Sequence, residues 1–266
     1  MNEVRCWFGV GRTETGHVRP SNQDAFAVLN DVPLWIVADG MGGHPAGDLA
    51  SRLAVDFAVQ RAPQYLGHVE SPEDSCRLLA DLLTAANQEI LVMAEGQPAL
   101  KGMGTTVVAM TMTVHPTPAI HIVHLGDSRA YLYRGGKLVQ LTRDHTLVEE
   151  YVRNGLIDSS EVAHHPQRHV LTQALGIDEE VKPERTSLPL QTDDLVLLCS
   201  DGLTKMLGDD DIASILSRAK HDPSMACDRL IEETLARGGE DNVTVIVCAS
   251  TASNSPPTID KTISAM

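Results

Sequence analysis

Apolar residues fall in short runs along most of this chain, and their spacing switches from strand-like to helix-like and back. Runs over residues 24–29, 34–38, 105–114, 119–125, 130–134, 195–199 and 243–249 are rich in β-branched residues and bounded by turn residues, which predicts strands. Gly135 and Gly136, set between two such stretches, predict a hairpin. Residues 46–62 place Leu49, Leu53, Val55, Phe57 and Val59 at helical spacings. Residues 72–95 carry Leu78, Leu79, Leu82, Leu83, Ala86 and Ile90 at steps of three and four, and Ser71 before Pro72 predicts a capped start. A further helix pair is predicted over 209–219 and 223–237, closed by Gly238 and Gly239.

Neighbouring helices without alternating strands argue against a doubly wound parallel sheet. They favour antiparallel sheets covered by helices, an α+β layered class. Without an internal repeat or long linker, residues 1–249 read as one domain. Residues 250–266 hold Ser, Thr, Asn and two prolines with little to bury, which predicts a flexible C-terminal tail.

Composition trims the functional options. At 266 residues and 42% hydrophobic the chain can bury a sizeable core, while 3% aromatic content argues against a base-stacking surface. A formal charge of −15 repels a phosphate backbone, so nucleic acid is not expected as a partner. Cys6, Cys76, Cys199, Cys227 and Cys248 lack disulfide or metal spacing and read as reduced thiols. No signal-peptide pattern opens the chain and no apolar stretch is long enough to span a bilayer, so a cytoplasmic protein without membrane contact is expected.

One pattern carries chemistry. Apolar runs lead into Asp39-Gly40, Gly126-Asp127 and Asp201-Gly202, Asp241-Asn242 precedes another, and Asn22-Gln23-Asp24 opens a fifth. Asp-Gly alone is an ordinary turn. Five such carboxylates at strand ends can converge on one edge of a layered fold, where they repel unless they share a cation. Hard oxygen donors suit Mg2+ or Mn2+. Two such ions lower the pKa of a water and neutralise phosphoryl oxygens, which is phosphoester hydrolysis.

The residues also name a family. GHVRPSNQD (16–24), VADGMGGHPAGDLAS (37–51), GMGTT (102–106), HLGDSRAYLY (124–133), LTRDHT (141–146), HPQRHVLTQALG (165–176), LCSDGL (198–203) and GEDNVT (239–244) follow one another in the order of the metal-dependent type 2C Ser/Thr protein phosphatases. The chain resembles their short bacterial form. The resemblance implies a four-layer α-β-β-α sandwich and two core ions, Mn2+ or Mg2+, with a third, weaker one. It implies Asp39, Asp201 and Asp241 as direct ligands with the Gly40 carbonyl, Asp24 acting through bound water, Asp127 with Asp201 on the third ion, and Arg19 as the clamp on substrate phosphate. Phosphorylated proteins are the implied substrates, and a monomer opposing a bacterial Ser/Thr kinase is the implied setting.

Two positions depart from the pattern. Gln23 stands where many relatives have Glu, and Met41 stands where eukaryotic relatives have a histidine able to protonate the leaving group. His44 is the nearest substitute acid in sequence. Residues 144–176 read as a flap beside the site, with Ser160 as a contact to the third ion and His145, His164, His165 and His169 as surface and capping groups rather than a zinc site. Residues 9–16 read as a connector between strands, and Asn242 as either a structural residue or a partner holding Asp241. A phosphate-reading protein without turnover and a hydrolase of small phosphoesters remain open beside the protein phosphatase.

Overall fold

Alternate residues of the central strands enter different layers. In β3 (Leu34–Asp39), Leu34, Ile36 and Ala38 face one apolar cluster while Trp35 and Val37 face another. In β9 (Leu195–Cys199), Val196 and Leu198 share the cluster of Trp35, whereas Leu195, Leu197 and Cys199 face away from it. A strand buried on both faces must lie between two covered surfaces, and both strands do. The structure, a computed structural model, describes residues 6–41, 46–67, 71–114, 117–219, 222–251 and 262–264.

Two antiparallel sheets result. One has β1 (Cys6–Glu14), β10 (Val243–Thr251), β9, β6 (Arg129–Arg134) and β7 (Lys137–Gln140) in that order. The other has β11 (Thr262–Ser264), β2 (Asp24–Leu29), β3, β4 (Val107–Thr113), β5 (Ala119–Leu125) and β8 (Glu184–Pro189). Helices α1 (Gly47–Leu66) and α2 (Pro72–Ala94) cover the second sheet, burying Ala50, Ala54, Ala58, Leu79, Leu82 and Leu83. α5 (Asp209–Arg218) and α6 (Pro223–Ala236), with the short α4 (Asp201–Met206), cover the first through Leu203, Ile212, Leu216 and Leu230. The expected α-β-β-α sandwich is therefore present, with three apolar interfaces between four layers.

Several boundaries differ from the sequence reading. Residues 9–16, read as a connector, belong largely to β1, and two glycines explain the missing signal. A Cβ on Gly9 or Gly11 would strike the Trp35 or Phe26 ring, so the strand carries no apolar side chain there and the rings pack on bare backbone. α1 runs past Pro63 to Leu66, whose side chain is buried in the helix–sheet core. Ser71 caps α2 as expected, its hydroxyl accepting from the Asp74 amide at 3.1 Å. In the stretch expected to be a flexible tail, Thr262–Ser264 pairs as β11 with Phe26–Val28 of β2, and β10 continues to Thr251.

Candidate metal centre

Antiparallel registry gathers the carboxylates. β2 begins at Asp24 and β3 ends at Asp39, directly paired residues, so both lie on one edge of the second sheet. β9 ends at Cys199 beside the start of β10, which places Asp201 and Asp241 on the matching edge of the first sheet. Asp127 sits in the turn between β5 of one sheet and β6 of the other. Asp39, Gly40, Asp127, Asp201, Asp241, Arg19 and Gln23 all line a cleft of about 750 Å³.

Hydrogen bonds fix these groups. Asp24 Oδ2 accepts from Ser200 Oγ at 2.8 Å and from Thr244 Oγ1 at 2.7 Å, clasping one sheet to the other. The Asp39 amide donates to Thr106 Oγ1 at 3.2 Å, and the Thr106 amide donates to the Asp39 carbonyl at 2.9 Å. Gly40 donates to the Gln23 carbonyl at 3.0 Å, and a Cβ there would collide with the Gly47 and Gln23 carbonyls. Only glycine permits that approach. The Asn242 side chain does not hold Asp241. Its Nδ2 donates to the Thr15 and Ser21 carbonyls at 2.8 and 2.9 Å, and its Oδ1 accepts from the Gln23 amide at 2.9 Å, so it pins the loop carrying Arg19. The backbone amide of Asn242 does the work on Asp241, donating to Oδ1 at 2.9 Å.

Electrostatics split the cluster. Burial raises Asp24 to about 7, opposed by its two hydroxyl donors and reinforced by Asp201 and Asp241. Burial, then Asp201 and Asp144, raises Asp127 to about 7. Asp39 is pushed well above the usual carboxylate range by burial and by the charges of Asp24, Asp201 and Asp127. Asp241 goes the other way: burial raises it, but Lys205, Arg19 and the Asn242 amide outweigh that and hold it low. Arg19 grips Asp241 through Nε at 2.8 Å and Nη2 at 2.9 Å. Lys205 Nζ lies 2.6 Å from Asp201 Oδ2 and 2.7 Å from Asp241 Oδ2.

These residues fit divalent ions. Asp24 Oδ1 and Asp201 Oδ1 are buried with no hydrogen-bond partner among the described residues, a costly condition unless a cation meets them. The donors are oxygens throughout, as hard ions require.

The remaining sequence candidates fare unevenly. Ser160 is exposed on a 3-10 turn and does not line the cleft. His44 lies outside the described residues. The flap histidines divide. His165 accepts from the Gln167 amide at 3.2 Å as a local cap, while His169 lines the cleft. His145 is buried, not a surface group: its amide donates to the Gly126 carbonyl at 3.0 Å and its Nδ1 accepts from the Gly126 amide at 3.3 Å, which steadies the turn bearing Asp127. His124, His145 and Glu184 approach within 4.8 Å of one another. The two rings stack at 4.6 Å with planes 23° apart, so their lone pairs run nearly parallel and one ion cannot lie in both planes. Lys205, Thr106, Ser200 and Thr244 were missed. For Lys205 a signal existed: it stands four residues after Asp201, one helical turn away.

A family profile described as Protein phosphatase 2C matches residues 14–237. The chain belongs to the protein phosphatase 2C family. It is 39% identical over 239 residues to the serine/threonine phosphatase stp of Listeria monocytogenes serovar 1/2a, spanning 89% of this chain and 93% of that one. It is also 39% identical to the serine/threonine protein phosphatase PstP of Mycobacterium tuberculosis, spanning 89% of this chain and 43% of that longer protein. The crystal structure of M. tuberculosis PstP/Ppp superposes with a TM-score of 0.81 at 36% identity, covering 91% of this chain and 98% of that chain. A PstP catalytic domain in complex with two manganese ions superposes at 0.79 with 34% identity, covering 93% and 99%. Membership of the protein phosphatase 2C family makes the chain a metal-dependent hydrolase. Among the described residues no helix is long and apolar enough to cross a membrane.

Proposed function

We propose that the chain hydrolyses phosphoserine and phosphothreonine monoesters on proteins with the help of divalent ions gathered in the cleft. One observation carries this reading: Asp39, Asp127, Asp201 and Asp241, drawn from both sheets, line one cleft, and Asp201 and the neighbouring Asp24 each keep a buried oxygen that no group among the described residues satisfies. The serine/threonine phosphatases among its relatives, and the two manganese ions of the PstP complex, support it.

In this reading Asp39, Asp201 and Asp241 with the Gly40 carbonyl hold two core ions, Mn2+ or Mg2+, and Asp127 with Asp201 holds a third. When bound, the ions supply a water acidic enough to attack phosphorus at neutral pH and offset the charge of the phosphoryl oxygens. Asp24, clasped by Ser200 and Thr244, orients water at the edge of the cluster. Arg19 leaves Asp241 to present two parallel donors to the substrate phosphate, which a guanidinium does at any working pH. Met41 lines the cleft and offers no proton, so the leaving alkoxide takes its proton from bound water or another group; His44, nearest in sequence, is one candidate. The phosphoprotein substrates are products of a Ser/Thr kinase, which this activity opposes, and the enzyme acts as a monomer in the cytoplasm.

The test is phosphate release from a phosphothreonine peptide by purified protein with added Mn2+ and with Mg2+. Turnover that disappears on chelation is expected. Folded, metal-loaded protein that releases no phosphate would leave a phosphate-reading role instead.

A further inference from the structure

Lys205 is the cation that neither the sequence pattern nor the proposed chemistry absorbs. It sits in the last turn of α4, whose first residue is Asp201, so the helix itself delivers its ammonium back over that carboxylate. Its ammonium then reaches across to Asp241, which enters from the start of β10 in a different part of the chain. The two contacts, 2.6 and 2.7 Å, are those of a direct ion pair with each acid. Its side chain is 29% exposed, and those of Asp201 and Asp241 are 18% and 16%, so the pairing is shielded from solvent far more than a surface salt bridge. The other oxygen of Asp201 has no hydrogen-bond partner among the described residues.

We infer that Lys205 is a tethered stand-in for a divalent ion: it bridges Asp201 and Asp241 while the centre is empty and must be displaced before an ion can take both acids. The inference rests on the metal-centre reading above and adds a device that loads it. A tethered cation costs nothing in translational entropy to place, so it holds the two ligands together until an ion displaces it. The same contact makes loading a competition, because the ammonium's charge repels an incoming ion and an ion that takes Oδ2 of either acid takes an oxygen the ammonium occupies. Lys205 therefore sets how much free metal is needed to arm the enzyme, and its ammonium is released into the cleft when the centre fills.

The experiment compares Mn2+ binding by calorimetry to the wild-type chain and to Lys205→Met, each first stripped of metal and checked for fold by circular dichroism. Lys205→Met is expected to bind one Mn2+ more than threefold tighter, to melt lower than wild type when stripped, and to gain more from added Mn2+. In parallel, an amine-acylating reagent with mass-spectrometric readout on the wild-type protein alone should label Lys205 slowly when stripped and several-fold faster with Mn2+, while exposed Lys137 stays constant. Affinity within threefold of wild type, or weaker, overturns the inference, as does Lys205 labelling that Mn2+ leaves unchanged in protein that binds it. If neither protein binds Mn2+ at all, the metal-centre reading itself falls and the inference with it.

Discussion

Asp24 and Asp39 stand directly opposite each other across the β2–β3 ladder. Two like charges in that relation destabilise a sheet unless something separates their roles. The separation here comes from the other sheet: Ser200 and Thr244 draw Oδ2 of Asp24 toward β9 and β10, while Asp39 stays on the cleft wall. Asp24 is at once a pin between sheets and a member of the acidic cluster.

Asp39→Asn and Asp201→Asn remove a charge from the centre of that cluster while keeping shape. Each is expected to lower kcat on a phosphothreonine peptide with Mn2+ by at least about a hundredfold, as loss of charge stabilisation at a reacting centre does. Steady-state kinetics checks this, and a variant within tenfold of wild type would remove its residue from the centre.

Stripped of metal, the cluster should be stabilised by losing a carboxylate. Asp127 has a folded-state pKa raised from 3.8 to about 7, so the folded protein binds more protons than the unfolded chain between those values. That contribution is complete below pH 3.8 and is lost as pH rises through about 7. In chelator at pH 8, Asp127→Asn should melt several degrees above wild type, on the order of 1–2 kcal/mol. Added Mn2+ should reverse the order. Scanning calorimetry reads both, and a variant that melts lower in chelator refutes the prediction.

The stacked histidines predict a dependence of opposite sign. Burial lowers both His124 and His145, so each is neutral in the fold where the unfolded chain would be charged. Their stability is complete above the unfolded value of 6.5 and is lost as pH falls below it. His124→Gln can still donate to the Arg143 carbonyl, which His124 Nε2 meets at 2.8 Å, and removes one titration. Its melting temperature in chelator should fall less than that of wild type between pH 7.5 and 5.5. An unchanged difference would mean the ring titrates as it does in water.

Asn242→Ala severs three hydrogen bonds to the backbone of the loop bearing Arg19. About 2–3 kcal/mol of stability is expected to be lost, because partly buried backbone groups are left unpaired. KM for phosphopeptide should rise more than kcat falls, since Arg19 is loosened while the acids stay in place. Equal effects on both would mean the loop positions the reacting centre as well.

Much of this was legible in the chain because the inner strands are buried on both faces: β3 and β9 announce themselves as unbroken apolar runs, and β5 and β10 as largely apolar ones. The acids were legible for the same reason, each being an abrupt polar stop beside glycine or asparagine. What escaped has physical causes. β1 hides behind Gly9 and Gly11, whose missing side chains are filled by aromatic rings from the facing sheet. β8, at a sheet edge, opens with four polar residues, Glu184 to Ser187, and α4 is a single turn and a half with no apolar stripe to read. Asn242 reads from the sequence as structural or as a partner of Asp241; its side chain takes the structural role, serving a loop more than two hundred positions away in sequence, a pairing no local pattern encodes.

Because Asp24 and Asp39 hang from one sheet and Asp201 and Asp241 from the other, the thickness of the sandwich acts as a calliper on the acids. Phe26 and Trp35, lying on the bare backbone of Gly11 and Gly9, set that gauge from the interface between the sheets. A bulky residue at Gly9 would wedge the slabs apart, and the first casualty would be the fit between the enzyme and its ions, well before the fold itself gave way.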